Sequence, residues 1–503
     1  MRLLLTGGTV VDGTGIPGVR ADVLVENGRI ASVGGIPENV EAERIDCSNC
    51  VVAPGFIDIH SHSDLQAHQD KVEKARQGVT TEVVGNCSFS AFPAAEERSA
   101  LHEFANSIFC GSGDWGWHTA KEYYADAAKG PGRVNPLSLV GHGTLRISEV
   151  GLKQGPLAPA EMDAIEQRLS DCLAEGAVGF STGLMYAPGS SAPFEELERL
   201  CRVVARHGKL YATHMRSYFG GILESIDEQL ELARRSGCRL QISHLQIAGR
   251  KNWDLQRKVI DKIERAHRQG IDVAFDCYPY VAGSTVLTQI LPQSALEGGI
   301  AAMLARFADP AARARIASET LENLAWAWSD VYISAVASAR NASLVGKSLE
   351  EISKERQREP VQTVMDLLAE ENGAVNMLCF NQSEENLRQT LAHPLSMIGS
   401  DGFYVKGRPH PRLAGTFPKL LGYYTRQEKL FSLEEAIRKI TSIPAERLRL
   451  NGRGVLAPGN AADIVVFHPQ EVAGPADYEN PEVPPTGIRY VFRNGNRTDN
   501  GGR

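Results

Sequence analysis

The chain has no apolar run approaching the ~18 residues that a membrane-spanning helix needs, so no span is predicted. It has no basic cluster either. Its 53 Lys and Arg stand against 61 Asp and Glu, a net charge of −8. That balance argues against nucleic acid, which is held through phosphate contacts. No G-x-G-x-x-G opens a helix after any strand-like run, which counts against a dinucleotide fold. The nine cysteines are odd in number and scattered over 503 residues. They form no disulfide framework and point to a reducing, cytoplasmic setting. Cys47 and Cys50 make one C-x-x-C, but no second pair follows at zinc-ribbon spacing, so the pair reads as a surface feature. The opening "MRLLLTGGTVVDG" lacks the long apolar stretch and small-residue cleavage site of a signal peptide. Internal repeats and low-complexity tracts are missing too.

What is present is a series of short apolar runs that end in polar or glycine-rich residues. They are "FIDIHSH" (56–62), "TTEVVGNC" (80–87), "PLSLVGHG" (136–143) and "AVGFSTG" (177–183), then "LYATHM" (210–215), "LQISHL" (240–245), "VAFDCYPY" (273–280) and "MIGSDG" (397–402). Helix-like segments separate several of them. Ser191 to Gly208 has a serine start, early acids and a terminal glycine, and the segments ending at Gly237 and Gly270 share the basic last turn and glycine stop. Strands alternating with helices imply a parallel sheet, and eight such units predict an α/β fold, a closed (β/α)8 TIM-type barrel. An open doubly wound sheet is the alternative. Two more strand-like runs, 331–338 and 375–380, are assigned outside the barrel, to an insertion and to an added segment before the last strand.

The two ends differ from the middle. Residues 1–54 and 448–503 read as short β-segments with turns, including the hairpin signal Glu26-Asn27-Gly28. Neither end buries a core alone, so together they are expected to build one small split β-sandwich beside a barrel over 55–447. Residues 286–345 interrupt the barrel pattern. An insertion in a strand-to-helix loop lies at the active-site face, the position of a lid.

The tips of the predicted strands carry the chemistry. His60 and His62, two apart on one strand, point to the same side. Cys87 ends the second strand, His142 the third, His214 the fifth, His244 the sixth and Asp401 the eighth. Barrel strands converge at their C-terminal ends, so these residue types meet at one place. Nitrogen and thiolate donors together favour zinc over magnesium or calcium. Cys87, His214 and His244 suit one tight zinc, while His60, His62 and Asp401 hold or support a second position. Asp401 is also placed to take a proton from a zinc-activated water and pass it to a leaving nitrogen; as part of "SDG" it equally suits a turn. His142 either polarises a carbonyl, orients a ligand from behind, or is a hydrogen-bonded core histidine.

The motifs "PGFIDIHSHSD", "YATHMRS", "ISHLQIAG" and "IGSDG" resemble those of the amidohydrolase superfamily. With "GVTTEVVGNCSFS", "GAVGFSTGLMYAPG", "VGHGTLR", "DCYPYVAGST", "HPRLAGTFPKLLG" and "GRGVLAPGNAADIVVF", nearly the whole chain is similar to the N-acyl-D-amino-acid deacylases, or D-aminoacylases. The resemblance implies a zinc hydrolase that releases a carboxylic acid and a D-amino acid. Many amidohydrolases bridge two metals with a carboxylated lysine on strand four. "AVGFSTG" has none, and Cys87 matches the cysteine that replaces it in the deacylase branch. By the same matching Cys87, His214 and His244 hold the tight zinc, His60 and His62 belong to a weaker site, and Asp401 is the catalytic acid and base. Tyr278, Ser284 and Arg412 fall where the family binds the substrate carboxylate, a role that suits an arginine fork beside hydroxyl donors. Taken alone, Arg412 reads as a surface arginine and Tyr278 as a core aromatic. The lysine often found two residues after the strand-six histidine is Gln246 here, and Arg250, four residues on, is the candidate to replace its charge.

The partner implied is a small N-acyl amino acid, with neither membrane nor nucleic acid, acted on by a monomer or small homo-oligomer. A D-dipeptide or a cyclic amide of the hydantoinase type is the alternative substrate. A barrel kept as a non-catalytic scaffold is a third reading, opposed by the complete ligand set.

Overall fold

The computed structural model describes residues 2–37, 39–110 and 113–499. Its centre is an eight-stranded parallel sheet whose strands pair in chain order: β1 (Phe56–Asp58), β2 (Val79–Val84), β3 (Asn135–Gly141), β4 (Gly179–Gly183), β5 (Leu210–His214), β6 (Arg239–Ile242), β7 (Val273–Cys277) and β8 (Ser396–Ile398). All eight predicted strands are present. Every residue of β2, β4, β5 and β7 is buried, as expected of strands covered on both faces. The sheet closes just past the ends of β1 and β8. There Ser61 bridges Gly402 in parallel, the Asp401 amide donates to the His60 carbonyl at 2.7 Å, and the His62 amide donates to Gly402 at 3.0 Å. The seam of the barrel therefore runs through three predicted site residues.

The helices on the outside follow the sequence signals with small shifts. The segment expected from Ser191 begins as a helix at Phe194, after a 3-10 turn at Gly189–Ser191, and no side chain caps it. Its early acids Glu195 and Glu196 occupy the first turn, where the helix dipole favours them. Gly237 ends the next helix (Ile222–Ser236) in the left-handed conformation. The helix Gln256–Arg268 stops one residue earlier than its glycine signal, with Gln269 at the cap.

The chain ends meet in two further sheets. One joins 2–6, 23–26, 29–33 and 43–46; the other joins 9–10, 19–20 and 51–54 to 464–467, 488–493 and 496–497. Ala53 pairs with Val465, so the N-terminal and C-terminal segments share one ladder. Leu3, Val23, Val25, Val52, Ile464 and Phe492 pack in a common core. Asn27 and Gly28 both have positive φ, 50° and 77°, the turn that fits the twist of a two-residue hairpin. Cys47 corrects the sequence reading: it is fully buried in this core, not on the surface, and only Cys50 is partly exposed.

Between β7 and β8 the chain builds a three-stranded antiparallel sheet, with 375–380 between 282–286 and 331–336. Its own core includes Leu287, Met303, Ile316, Ile333, Val364 and Met377. The two extra strand-like runs, read as separate pieces, are thus neighbours in one sheet. The added unit extends to residue 380 rather than ending at 345, because its central strand is the last one made.

Candidate metal centre

The strand tips bring six side chains into one buried cluster. Cys87 Sγ lies 3.4 Å from His60 Nε2 and 3.4 Å from His244 Nε2. Asp401 Oδ1 lies 3.2 Å from His62 Nε2 and 3.4 Å from His60 Nε2. Three overlapping triads have donor atoms within 4.8 Å of one another: His60/His62/Cys87, Cys87/His214/His244 and His60/His244/Asp401. Cys87, His60 and His244 each belong to two of them, so two adjacent cation positions would draw on common donors. Both ring nitrogens of buried His214 lack any hydrogen-bond partner, as does Nδ1 of His62 and His244. Buried polar atoms are seldom left unpaired, so this donor set fits metal ligation rather than core packing.

The backbone is strained to aim these groups. Cys87, His244 and Asp401 all have positive φ, 52°, 36° and 49°. Each such non-glycine residue costs about 1–3 kcal/mol, and such strain concentrates at functional sites. Glycines make room: a Cβ on Gly183 would stand 2.2 Å from the Cys87 carbonyl oxygen, and one on Gly399 2.5 Å from His60 Cβ. Beneath Asp401, the buried Lys74 and Ser400 both bond the Asp58 carboxylate, at 2.6 Å each, and so clamp β1 to β8.

Charge in the cluster is arranged for a cation. Burial holds the imidazoles of His62 and His244 below their usual range and His214 at about 3, the neutral state that can ligate. Burial pushes the Cys87 thiol up to about 11, against the pull of His60. Burial would lower His60, but the negative charges of Cys87, Asp276 and Asp401 raise it well above its usual value. A cation at the cluster would favour the thiolate of Cys87, as ligation requires. Burial would also raise Asp401, yet Arg412, His60 and His62 hold it well below the carboxylate range.

Asp276, on β7, is a functional residue that the sequence reading missed. Its Oδ1 lies 3.0 Å from His60 Nδ1 and accepts from the His244 amide at 2.7 Å, while Oδ2 accepts from Gln241 at 3.0 Å. Such a carboxylate fixes the ring so that Nε2 faces the metal. The available signal was a lone acid within "VAFDC", a run otherwise apolar.

Arg412 is buried, contrary to its reading in isolation. Its Nη1 sits 2.9 Å from Asp401 Oδ2, its guanidinium lies over Tyr278 at 4.6 Å, and Nη2 donates to the Ser284 carbonyl at 3.3 Å. Tyr278, Ser284 and Gln246 line the same cavity, and Gln246 accepts from the Tyr278 hydroxyl at 3.4 Å. The added unit supplies Trp326, Met377 and Gln289 to its wall.

Two candidates are not brought to the cavity. His142 is fully buried with Nε2 2.8 Å from Glu196, which also holds Arg146 at 2.6 Å. It is a hydrogen-bonded core histidine, because the helix from Phe194 places Glu196 behind it. Arg250 is 71% exposed, over the Trp253 ring and 3.8 Å from Asp330. It starts a turn that carries it outward, so the charge absent at Gln246 is not replaced from there.

The comparisons with known proteins agree with this centre. The model of the "Amidohydrolase family" matches residues 43–499. D-aminoacylase of Alcaligenes xylosoxydans xylosoxydans is 36% identical over 98% of this chain and 93% of its own. N-acyl-D-glutamate deacylase from Bordetella bronchiseptica, solved with zinc and a phosphonate mimic of the tetrahedral intermediate, superposes with a TM-score of 0.86. It is 33% identical and covers 98% of this chain and 96% of its own. A structure addressing the binuclear metal centre of D-aminoacylase, with one-metal activation and second-metal attenuation, gives 0.84 at 35% identity over 98% and 96% of the two chains. With six donors from five barrel strands around one cavity, this chain belongs to the amidohydrolase family and is a metal-dependent hydrolase.

Proposed function

We propose that the protein hydrolyses the amide bond of N-acyl-D-amino acids with uncharged side chains, releasing a carboxylic acid and the free D-amino acid. The observation that carries this reading is the pairing of the donor cluster with one buried guanidinium. Among the described residues, Arg412 is the only lysine or arginine lining the cavity. With one of its nitrogens already paired to Asp401, the guanidinium keeps donor capacity for one substrate carboxylate. A second one, as on D-glutamate or D-aspartate, meets Gln246 and the apolar Phe219, Trp326 and Met377 instead. Zinc suits the mixed thiolate and imidazole set, with Cys87, His214 and His244 as the tight site and His60, His62 and Asp401 at a weaker second position.

When bound, zinc supplies a Lewis acid and brings the pKa of water toward ~7. Asp401, ionised beside Arg412, accepts the proton of the attacking water at Oδ1 and hands it to the leaving nitrogen. Arg412 orients the α-carboxylate, with Tyr278 beneath it and Ser284 alongside. The similarity to D-aminoacylase and N-acyl-D-glutamate deacylase supports the preference for the D form. A cyclic amide would bring no carboxylate to Arg412, whereas a D-dipeptide would bring its C-terminus.

Nine unbridged cysteines support a cytoplasmic setting, and we keep the reading of a monomer or small homo-oligomer; no helix among the described residues is long and apolar enough to cross a membrane. We also divide the chain into a split sandwich (1–54 with 448–503) and a barrel (55–447).

The test is a double comparison. Arg412→Lys keeps the charge but not the fork, so kcat/KM should fall while zinc content holds. Replacing the substrate carboxylate by an amide should then cost the native enzyme much and the variant little. Equal losses in both enzymes would remove Arg412 from carboxylate binding.

A further inference from the structure

A second cavity of about 120 Å³ lies against the metal cavity. Four side chains, Phe89, Ile108, Tyr186 and Gln289, line both. Three of the four are apolar or aromatic, and Phe89 packs edge-on against Tyr186 at 5.0 Å. Beyond them Phe104, Leu152, Leu296, Ile300 and Met303 supply the apolar wall, with Ser107, Gln154 and Thr288 as polar neighbours. A single water needs only ~10–15 Å³ on the same kind of measure, so the space suits a chain of several methylene groups.

The electrostatics select an uncharged occupant. Among the described residues Glu103 is the only charged one on the lining, and its Oε1 accepts from the Ile300 amide at 2.8 Å, at the start of the helix Gly299–Ala308. Its charge is committed to that helix end. No lysine or arginine among the described residues lines the space.

The direction follows from what the two cavities do not share. Arg412 and Ser284 line the metal cavity alone, as do Phe219, Trp326 and Met377. With the α-carboxylate at Arg412 and the amino-acid side chain against Phe219 and Trp326, the substituents of the α-carbon are placed. What remains is the acyl group, on the far side of the scissile carbonyl, and the apolar space adjoining it is the second cavity, behind the shared wall of Phe89, Ile108, Tyr186 and Gln289. Resting on the function proposed above, we propose that the second cavity receives an extended apolar acyl chain, so that the substrate class is N-acyl-D-amino acids with medium-length fatty acyl groups.

The experiment uses the zinc-loaded enzyme and a series of D-leucine derivatives carrying acetyl, butanoyl, hexanoyl and octanoyl groups. Each methylene that enters apolar surroundings should raise kcat/KM about two- to fourfold, through KM with kcat nearly constant. Leu296→Trp and Ile300→Trp fill the second cavity without touching the metal cavity. Each should cut octanoyl cleavage at least about tenfold and leave acetyl cleavage within about twofold, with zinc content and Tm as controls of folding. A flat or falling series in the native enzyme overturns the proposal. So does an equal loss for acetyl and octanoyl substrates in both variants. If Leu296→Trp instead suppresses N-acetyl substrates with lengthening D side chains, the cavity holds the side chain and the acyl assignment is wrong. Cleavage of acetyl but no gain with length sinks this inference alone, whereas no cleavage at any length sinks the proposed function with it.

Discussion

Asp276→Asn removes a charge from behind the metal centre while keeping its shape. In the native protein Oδ1 serves both the His60 ring at 3.0 Å and the His244 amide at 2.7 Å, and Oδ2 accepts from Gln241. The asparagine carbonyl can keep the first two contacts, and the Gln241 amide can meet the new NH2 only by turning its oxygen away from Arg447 Nε, which donates to it at 3.3 Å. What is lost is one ionised partner of His60, whose ring burial would lower but Cys87, Asp276 and Asp401 together hold well above the usual histidine range. Loss of such a partner costs about 10–100-fold in metal affinity, or about 1.4–2.7 kcal/mol at ~1.36 kcal/mol per decade. The effect should fall on the position made by His60 and His62, because Asp276 touches the Cys87/His214/His244 position only through the His244 backbone. Zinc titration against a competing chelator resolves the two constants. The weaker constant should worsen by that factor, with the tighter one within about threefold. An unchanged weaker constant, or loss confined to the tight one, would refute the assignment of Asp276 as the orienting partner of His60.

Further outcomes follow from the same geometry. Cys87→Ala removes the thiolate donor of the Cys87/His214/His244 triad, so the purified variant should lose the tight zinc by elemental analysis. Asp401→Asn cannot accept the water proton, and turnover should fall at least ~10²-fold in a folded, zinc-loaded variant; near-normal turnover would assign the proton to another group. His142→Leu takes one partner from buried Glu196. It should cost about 1–3 kcal/mol of stability, seen as a lower Tm, with zinc content unaltered.

The barrel was legible because each strand is a short apolar run that stops at a polar tip, and eight in chain order close one sheet. The donor residues were legible for the same reason, since strand ends converge by topology. What escaped the sequence depends on contacts between residues distant in the chain. His142 has the same strand-end placement as His214, yet a carboxylate 54 residues away claims it. Asp276 looked like an interruption of a strand until His60, 216 residues earlier, came to rest beside it. The added unit was cut short because its central strand, 375–380, comes last in sequence. Arg412 reads as a surface residue on local pattern and becomes a buried one only through Asp401 and Tyr278.

The most direct measurement of the central claim is the rate of hydrolysis of N-acetyl-D-leucine, N-acetyl-L-leucine and N-acetyl-D-glutamate by one zinc-loaded preparation. Rapid cleavage of the D-leucine derivative, with the other two slower by at least about tenfold, is the predicted result. Equal rates for D- and L-leucine, or a preference for D-glutamate, would contradict it.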